Sequence, residues 1–121
     1  MFELTIGGNV YGFKFGIGFV REVNKRQVRE QNGLKQEIGL QVLVASLVDG
    51  DILALIDALD IANKGQDLRI TRMALESYIE DEETDIDKLF ADVLDFLKQN
   101  NATRKATTQA LAIIEEQMKR R

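Results

Sequence analysis

The densest group of potentially reactive side chains is an acidic run, Glu80 to Asp87, which holds six carboxylates in eight residues. Paired carboxylates can act as general acid and base, but they must then lie in contrasting environments at a fixed distance. No His lies beside the run, and Asp85 and Asp87 suit the N-terminus of a following helix. We therefore predict solvent-exposed charges at a helix end rather than an active site.

The same run resembles a calcium-binding loop only in part. Such a loop alternates oxygen ligands and needs a Gly at its sixth position and a Glu at its twelfth. The segment 81–87 has no Gly, and the segment 49–51 is too short. The chain also has no His and no Cys, which removes the common nitrogen and thiolate ligands and the usual nucleophile–base pairs. We predict no catalytic residue, no metal site and no cofactor, and we expect a protein that is not an enzyme.

A third motif, Gly16-Ile17-Gly18, lies where a nucleotide-binding loop would connect a strand to a helix. Arg21 occupies the place of the third Gly, and no second parallel strand follows to form a βαβ unit. The two glycines instead predict a close corner between strand and helix, where Cβ atoms would clash.

Composition narrows the class of partner. The chain has 121 residues, 45% of them hydrophobic, which suits one globular domain. Its net charge of −4 disfavours a nucleic-acid partner, since binding to phosphate backbones requires a basic surface. No apolar run approaches the ~20 residues that cross a bilayer, and the N-terminus has no signal-peptide pattern. We expect no membrane contact and a cytoplasmic location.

The elements that would hold any site follow from hydrophobic periodicity. Residues 2–15 alternate with period two around a Gly/Asn turn, which predicts a β-hairpin with an apolar face made of Phe2, Leu4, Tyr11, Phe13 and Phe15. This face should pack on the predicted helix 52–61 or on the stripe 86–97. Helical spacing begins after residue 16, and Asp51, Thr71 and either Thr84 or Asp85 are suitable N-caps.

The polar segment around Lys25, Arg26 and Arg29 is interleaved with Glu22 and Glu30, which predicts a solvated helix face. The following Asn32-Gly33 would then end that helix. The fold class predicted overall is α+β and mostly α, with the N-terminal hairpin packed on a bundle of about five helices.

The C-terminal segment differs from the rest. We predict a globular domain over residues 1–101, with the hairpin at 2–15 and helices after 16, and a helix or tail over 102–121 that ends in Lys119-Arg120-Arg121. The tail carries a thin apolar stripe of Leu111, Ile114 and Met118. Such a stripe either packs on the domain or binds a partner, and these three residues are the candidate partner-binding site.

Several segments in the same order resemble a family of tail assembly chaperones of long-tailed, siphovirus-type bacteriophages. The similarity covers about residues 1–103 and is carried by the hairpin-to-helix segment 6–25, Asn32-Gly33, Ile38-Gly39-Leu40, Leu47-Val48-Asp49-Gly50-Asp51, Ser77-Tyr78-Ile79-Glu80 and the helix 89–99 with its Asn-Ala-Thr exit at 101–103.

The resemblance implies an assembly factor in the host cytoplasm that is absent from the finished virion. Its implied partner is the long, helical tape measure protein, which it would keep soluble while the tail tube protein polymerises. The tail tube protein and a second copy of the chain are further candidate partners. Two alternatives from other classes stay open: a small acidic regulator that binds a basic partner through residues 76–95, and a weak enzyme that uses carboxylates.

Overall fold

The chain opens with the predicted hairpin. Strands β1 (Phe2–Ile6) and β2 (Asn9–Phe13) pair antiparallel, with Phe2 opposite Phe13. The turn consists of Gly7 and Gly8, whose φ angles of 60° and 83° lie in the left-handed region that side chains disfavour. The computed structural model describes residues 1–120, so Arg121 at the basic C-terminal end lies outside the described residues.

Six helices and a second hairpin follow within residues 1–120. In chain order they are α1 (Ile17–Asn24), β3 (Val28–Gln31), β4 (Leu34–Glu37), α2 (Gly39–Val48), α3 (Ile52–Asn63), α4 (Arg72–Glu80), α5 (Ile86–Gln99) and α6 (Arg104–Lys119). The predicted caps are confirmed, because the side chains of Asp51, Thr71 and Asp85 accept backbone N–H bonds at the starts of α3, α4 and α5. The predicted α+β, mostly helical fold is confirmed as well.

The second hairpin corrects the sequence interpretation of residues 25–33. Asn32-Gly33 does not end a helix; it forms the turn between β3 and β4. Both turn residues have positive φ, 54° for Asn32 and 78° for Gly33, as a two-residue hairpin turn requires. The strands themselves are almost entirely polar and exposed, so they lack the alternation that would have indicated strands.

Aromatic rings join the first hairpin to the helices. Phe2 lies 5.9 Å from both Phe13 and Phe15, and 5.0 Å from Phe96 on α5, measured between ring centroids. Phe15 continues the cluster to Phe19 on α1 at 5.0 Å. The pairs meet edge to face, the geometry that the ring quadrupoles favour. The hairpin therefore packs on α5 as predicted, and it also meets α3, where Lys14 N–H donates to the carbonyl of Ala62 at 2.8 Å.

Replacement of Phe13 by Ala should lower the free energy of unfolding by ~3–5 kcal/mol, because the ring is fully buried and its loss leaves a cavity. Chemical denaturation monitored by circular dichroism measures this. Val10→Ala on the same strand is the control, since Val10 is 53% exposed. A near-neutral Phe13→Ala would show that the hairpin is not part of the core.

A buried amide at the end of α3 connects three segments. Asn63 is fully buried, and its Nδ2 donates to the carbonyls of Gly12 and Leu68 at 2.9 and 3.1 Å. Its Oδ1 accepts from the N–H of Ile70 at 2.7 Å and from Arg69 Nη1 at 2.9 Å. All four hydrogen-bonding positions of the amide are thus used, and they join β2, α3 and the loop 64–71.

Asn63→Leu should destabilise the protein by at least about 3 kcal/mol, because Leu fills the volume but leaves the buried Ile70 N–H and two part-buried carbonyls without this partner. Thermal and urea denaturation of this variant can be compared with Asn101→Leu, which changes an exposed Asn. Equal stability of the two variants would contradict the role given to this amide.

The close backbone approach predicted at Gly16 and Gly18 is found at Gly39 instead. A Cβ at Gly18 would meet no atom, and one at Gly16 would meet only the flexible side chain of Lys14. A Cβ at Gly39 would lie 1.8 Å from the carbonyl oxygen of Val23, so α2 begins directly against the end of α1. Next to it, Asn24 Oδ1 accepts the N–H of Leu40 at 2.9 Å. This contact sets where α2 starts and which of its sides faces outward.

Candidate functional site

The C-terminal helix α6 packs on α2 and α5 through its N-terminal half. Thr103, Thr107 and Ala110 are buried there, and Thr103 Oγ1 donates to the carbonyl of Leu97 at 2.7 Å. This bond closes the turn between α5 and α6. Independent folding of residues 1–101 without the segment 102–121 stays a prediction.

The three predicted partner-binding residues have different surroundings. Leu111 is half-buried and packs against the core. Ile114 is half-buried and lines a surface groove, whereas Met118 is 67% exposed near the end of α6. The structure therefore places only Ile114 in a concave site, with Met118 beyond it along the same helix.

That site, here called the α2–α6 groove, encloses about 300 Å³ between the two helices and the base of the β3–β4 hairpin. Its lining is mainly aliphatic, with polar groups at the ends, and consists of Arg29, Ile38, Gln41, Val42, Ala45, Ala110, Ile113, Ile114 and Gln117. A groove of this shape and lining can accept apolar side chains from one face of a helix.

A second hollow lies on the other side of α2 and shares Val42 with the groove. It encloses about 210 Å³ between the end of α1, α2 and α3, and Leu53 is among its lining residues. The exposed fractions are 65% for Leu53, 37% for Val42 and 55% for Ile113. Leu53 lines the second hollow, Ile113 lines the groove and Val42 lines both, and we call these three exposed aliphatic residues the apolar strip.

Two aspartates on α3 form ion pairs with arginines. Asp57 accepts from Arg72 at 2.7 Å and lies 3.7 Å from Arg26, while Asp60 accepts from Arg69 at 2.9 Å. The hydrogen bond that Arg72 donates to Asp57 raises the pKa of Arg72 above its ordinary value. An arginine whose pKa is raised stays charged throughout the neutral range.

The predicted exposure of the acidic run is confirmed, because all six of its carboxylate residues are exposed. Residues 80–83 are exposed, and Asp85 serves as the N-cap of α5. Across residues 1–120 no group of three carboxylates is close enough to hold a metal ion.

Sequence reasoning missed Val42, Leu53 and Ile113. Each is an aliphatic residue outside the buried stripe of its own helix. The sequence signal for a binding surface was therefore an aliphatic residue beyond those that the core requires. The buried stripes contain Leu43 and Val44 on α2, and Leu55 and Ile56 on α3. Aliphatic residues that remain outside such stripes on several neighbouring helices indicate a binding surface once their adjacency is known.

Substitution of two threonines at the contact between α6 and the rest of the protein should have different effects on the free energy of unfolding. Within the described part of the chain the buried Thr107 hydroxyl has no hydrogen-bond partner, so Thr107→Val should leave the free energy of unfolding unchanged or raise it. Thr103→Val removes the bond to Leu97 and should cost about 1 kcal/mol or more. Denaturation curves of both variants measure this, and a destabilising Thr107→Val would indicate that its hydroxyl is paired.

One comparison with known proteins, the family profile, agrees with the resemblance noted in the sequence. None of the described helices combines the length and hydropathy that a bilayer crossing requires. Comparisons with curated proteins and with solved structures find no significant match. A family profile described as "Phage tail assembly chaperone protein, TAC" matches residues 3–111, which includes every element from β1 to the middle of α6. The chain therefore belongs to the phage tail assembly chaperone family.

Proposed function

We propose that this chaperone binds the tape measure protein through the α2–α6 groove and the apolar strip. It would keep that protein soluble in the host cytoplasm while the tail tube protein polymerises, and it would be absent from the mature virion. The observation that supports this most directly is that exposed aliphatic residues of three helices line two neighbouring hollows, which share Val42.

The shape of the surface suits a helical segment. Two shallow hollows flank Val42, so aliphatic side chains spaced along one helix face could enter both at once. The helices beneath are held by a closely packed core, so the groove would need little rearrangement to bind. Binding energy would come mainly from removing apolar surface from water on both partners.

The residues of the predicted stripe have distinct parts in this proposal. Ile114 contacts the bound helix within the groove, and Met118 extends the contact along α6, where a flexible thioether adapts to varied partners. Leu111 supports the groove from below, because its side chain packs against the core. A charged residue at 111 would therefore change stability and binding together, which makes Ile113 the better residue to alter.

Ile113→Glu should weaken tape measure binding about tenfold or more, since it places a carboxylate in the centre of an apolar contact. Met73→Glu is the matched control, because Met73 is 76% exposed on α4 and lies outside the strip. Titration calorimetry with purified tape measure segments measures the affinity, and circular dichroism checks that both variants remain folded. Equal affinities of the two variants would contradict the proposed surface.

The alternative of an acidic regulator predicts a different outcome. Replacement of all four acids at 80–83 by Ala should leave binding nearly unchanged, because solvated charges outside the groove contribute little. A loss beyond tenfold in that variant, with Ile113→Glu unaffected, would instead support recognition of a basic partner.

A further inference from the structure

The β3–β4 hairpin is an unusual element because its strand residues stay exposed in the described part of the chain. All eight of its strand residues are exposed, with Leu34 at 74% and Val28 at 53%. Within residues 1–120 it forms a sheet of two strands, and each strand leaves its outer edge without a strand partner. Two-stranded sheets are marginal in water, and exposed strand edges are surfaces on which further strands can pair.

The ladder shows which backbone groups of β4 point outward. Ile38 N–H donates to the carbonyl of Gln27 at 2.9 Å, which makes these two residues a hydrogen-bonded pair. Because such pairs alternate along an antiparallel ladder, Gln36 and Leu34 also direct their backbone groups towards β3. The N–H and C=O groups of Lys35 and Glu37 therefore point to the free edge of β4.

This edge is complementary to itself. Two identical antiparallel strands at the centre of one sheet are related by a two-fold axis perpendicular to it. With Gln36 opposite Gln36 of the second copy, Lys35 lies opposite Glu37 of that copy, and Leu34 lies opposite Ile38. The outward backbone groups of Lys35 and Glu37 then form all their bonds across the axis, and the facing side chains are two opposite-charge pairs and two aliphatic pairs.

The outer edge of β3 has no such complementarity. A two-fold axis at Arg29 places Arg29 opposite itself and Glu30 opposite Val28. An axis at Glu30 places two Glu side chains opposite each other. An axis at Val28 places two valines opposite each other. None of the three axes places opposite charges of β3 strand residues across from one another, so charge favours β4 over β3 as the pairing edge.

We propose that the free edge of β4 is a self-association site, through which two copies of the chain form one four-stranded antiparallel sheet. Arg29 and Ile38, which line the α2–α6 groove, lie on one face of the hairpin. Because the axis is perpendicular to the sheet, this face points the same way in both copies. The site itself is independent of the tape measure proposal, since it uses backbone groups of β4 rather than the apolar strip.

Proline variants at one rung test the edge. Val28 and Glu37 are direct partners in the ladder, and the N–H of each points away from the other strand. E37P removes one donor from the β4 edge, and V28P removes the equivalent donor from the β3 edge. Light scattering of the full chain over a concentration series should show a wild-type dimer, at least about tenfold weaker association for E37P, and unchanged association for V28P.

A charge exchange gives a second test at constant net charge. E37K creates like charges across the axis and should weaken the dimer about tenfold. The triple variant E30K/K35E/E37K has the same net charge as E37K, but it restores opposite charges both across the axis and within the hairpin, where residues 30 and 35 are partners. It should recover wild-type association.

A wild-type chain that stays monomeric at all concentrations would overturn the proposal. So would a dimer that E37P leaves intact, since another surface would then hold it. Tape measure binding by monomeric E37P separates this site from the proposed function, because loss of the dimer and loss of the groove are then measured in different variants.

Discussion

One of the four hydrogen bonds of the buried Asn63 amide joins the first hairpin to the end of α3, and the other three fix the loop that follows. The amide sits where α3 ends, and it donates to a carbonyl of β2 and to one of the following loop while accepting from the start of the segment that leads into α4. A buried polar group is stable only when its bonds are made, so these three segments have one mutual arrangement. The hairpin's phenylalanines are thereby placed against α5.

The packing of the helices around that junction determines which aliphatic residues stay exposed. α3 contacts β2, α1, α2 and α4, and these contacts bury most of its aliphatic residues. α2 packs between α1, α3 and α6. The absence of a Cβ at Gly39 lets α2 start against the end of α1, and this sets the rotation at which α2 presents Val42 outward. Aliphatic residues that no neighbour covers then form the apolar strip.

Such a surface suits the family's role in assembly. Under the proposed function, binding of an apolar helix needs apolar contact without rigid chemical selectivity, and aliphatic side chains on a fixed scaffold provide this. Arg69 pairs with Asp60 and Arg72 pairs with Asp57, so these four charges balance one another. The exposed edge of β4 is polar by contrast, so the two candidate surfaces of this chain differ in chemistry and can act independently.

The sequence by itself determined the parts of the fold that depend on local periodicity and capping. The alternating aromatics of the first hairpin, the caps at Asp51, Thr71 and Asp85, and the unbroken stripe of α5 are all local patterns, and they are found as predicted. The family resemblance was also readable, because it rests on the order and spacing of short segments.

Only the tertiary structure decided the rest. The β3–β4 hairpin was missed because its polar strands carry no hydrophobic alternation and Asn-Gly serves equally to end a helix or to turn a hairpin. The α2–α6 groove and the apolar strip combine residues from separate helices, and no single helical pattern shows which side of each helix a neighbour will leave uncovered. The predicted C-terminal stripe is divided in the structure, with Leu111 against the core and Ile114 in the groove. The exposure of these side chains depends on how α6 is rotated against α2, which is a property of packing rather than of residue spacing.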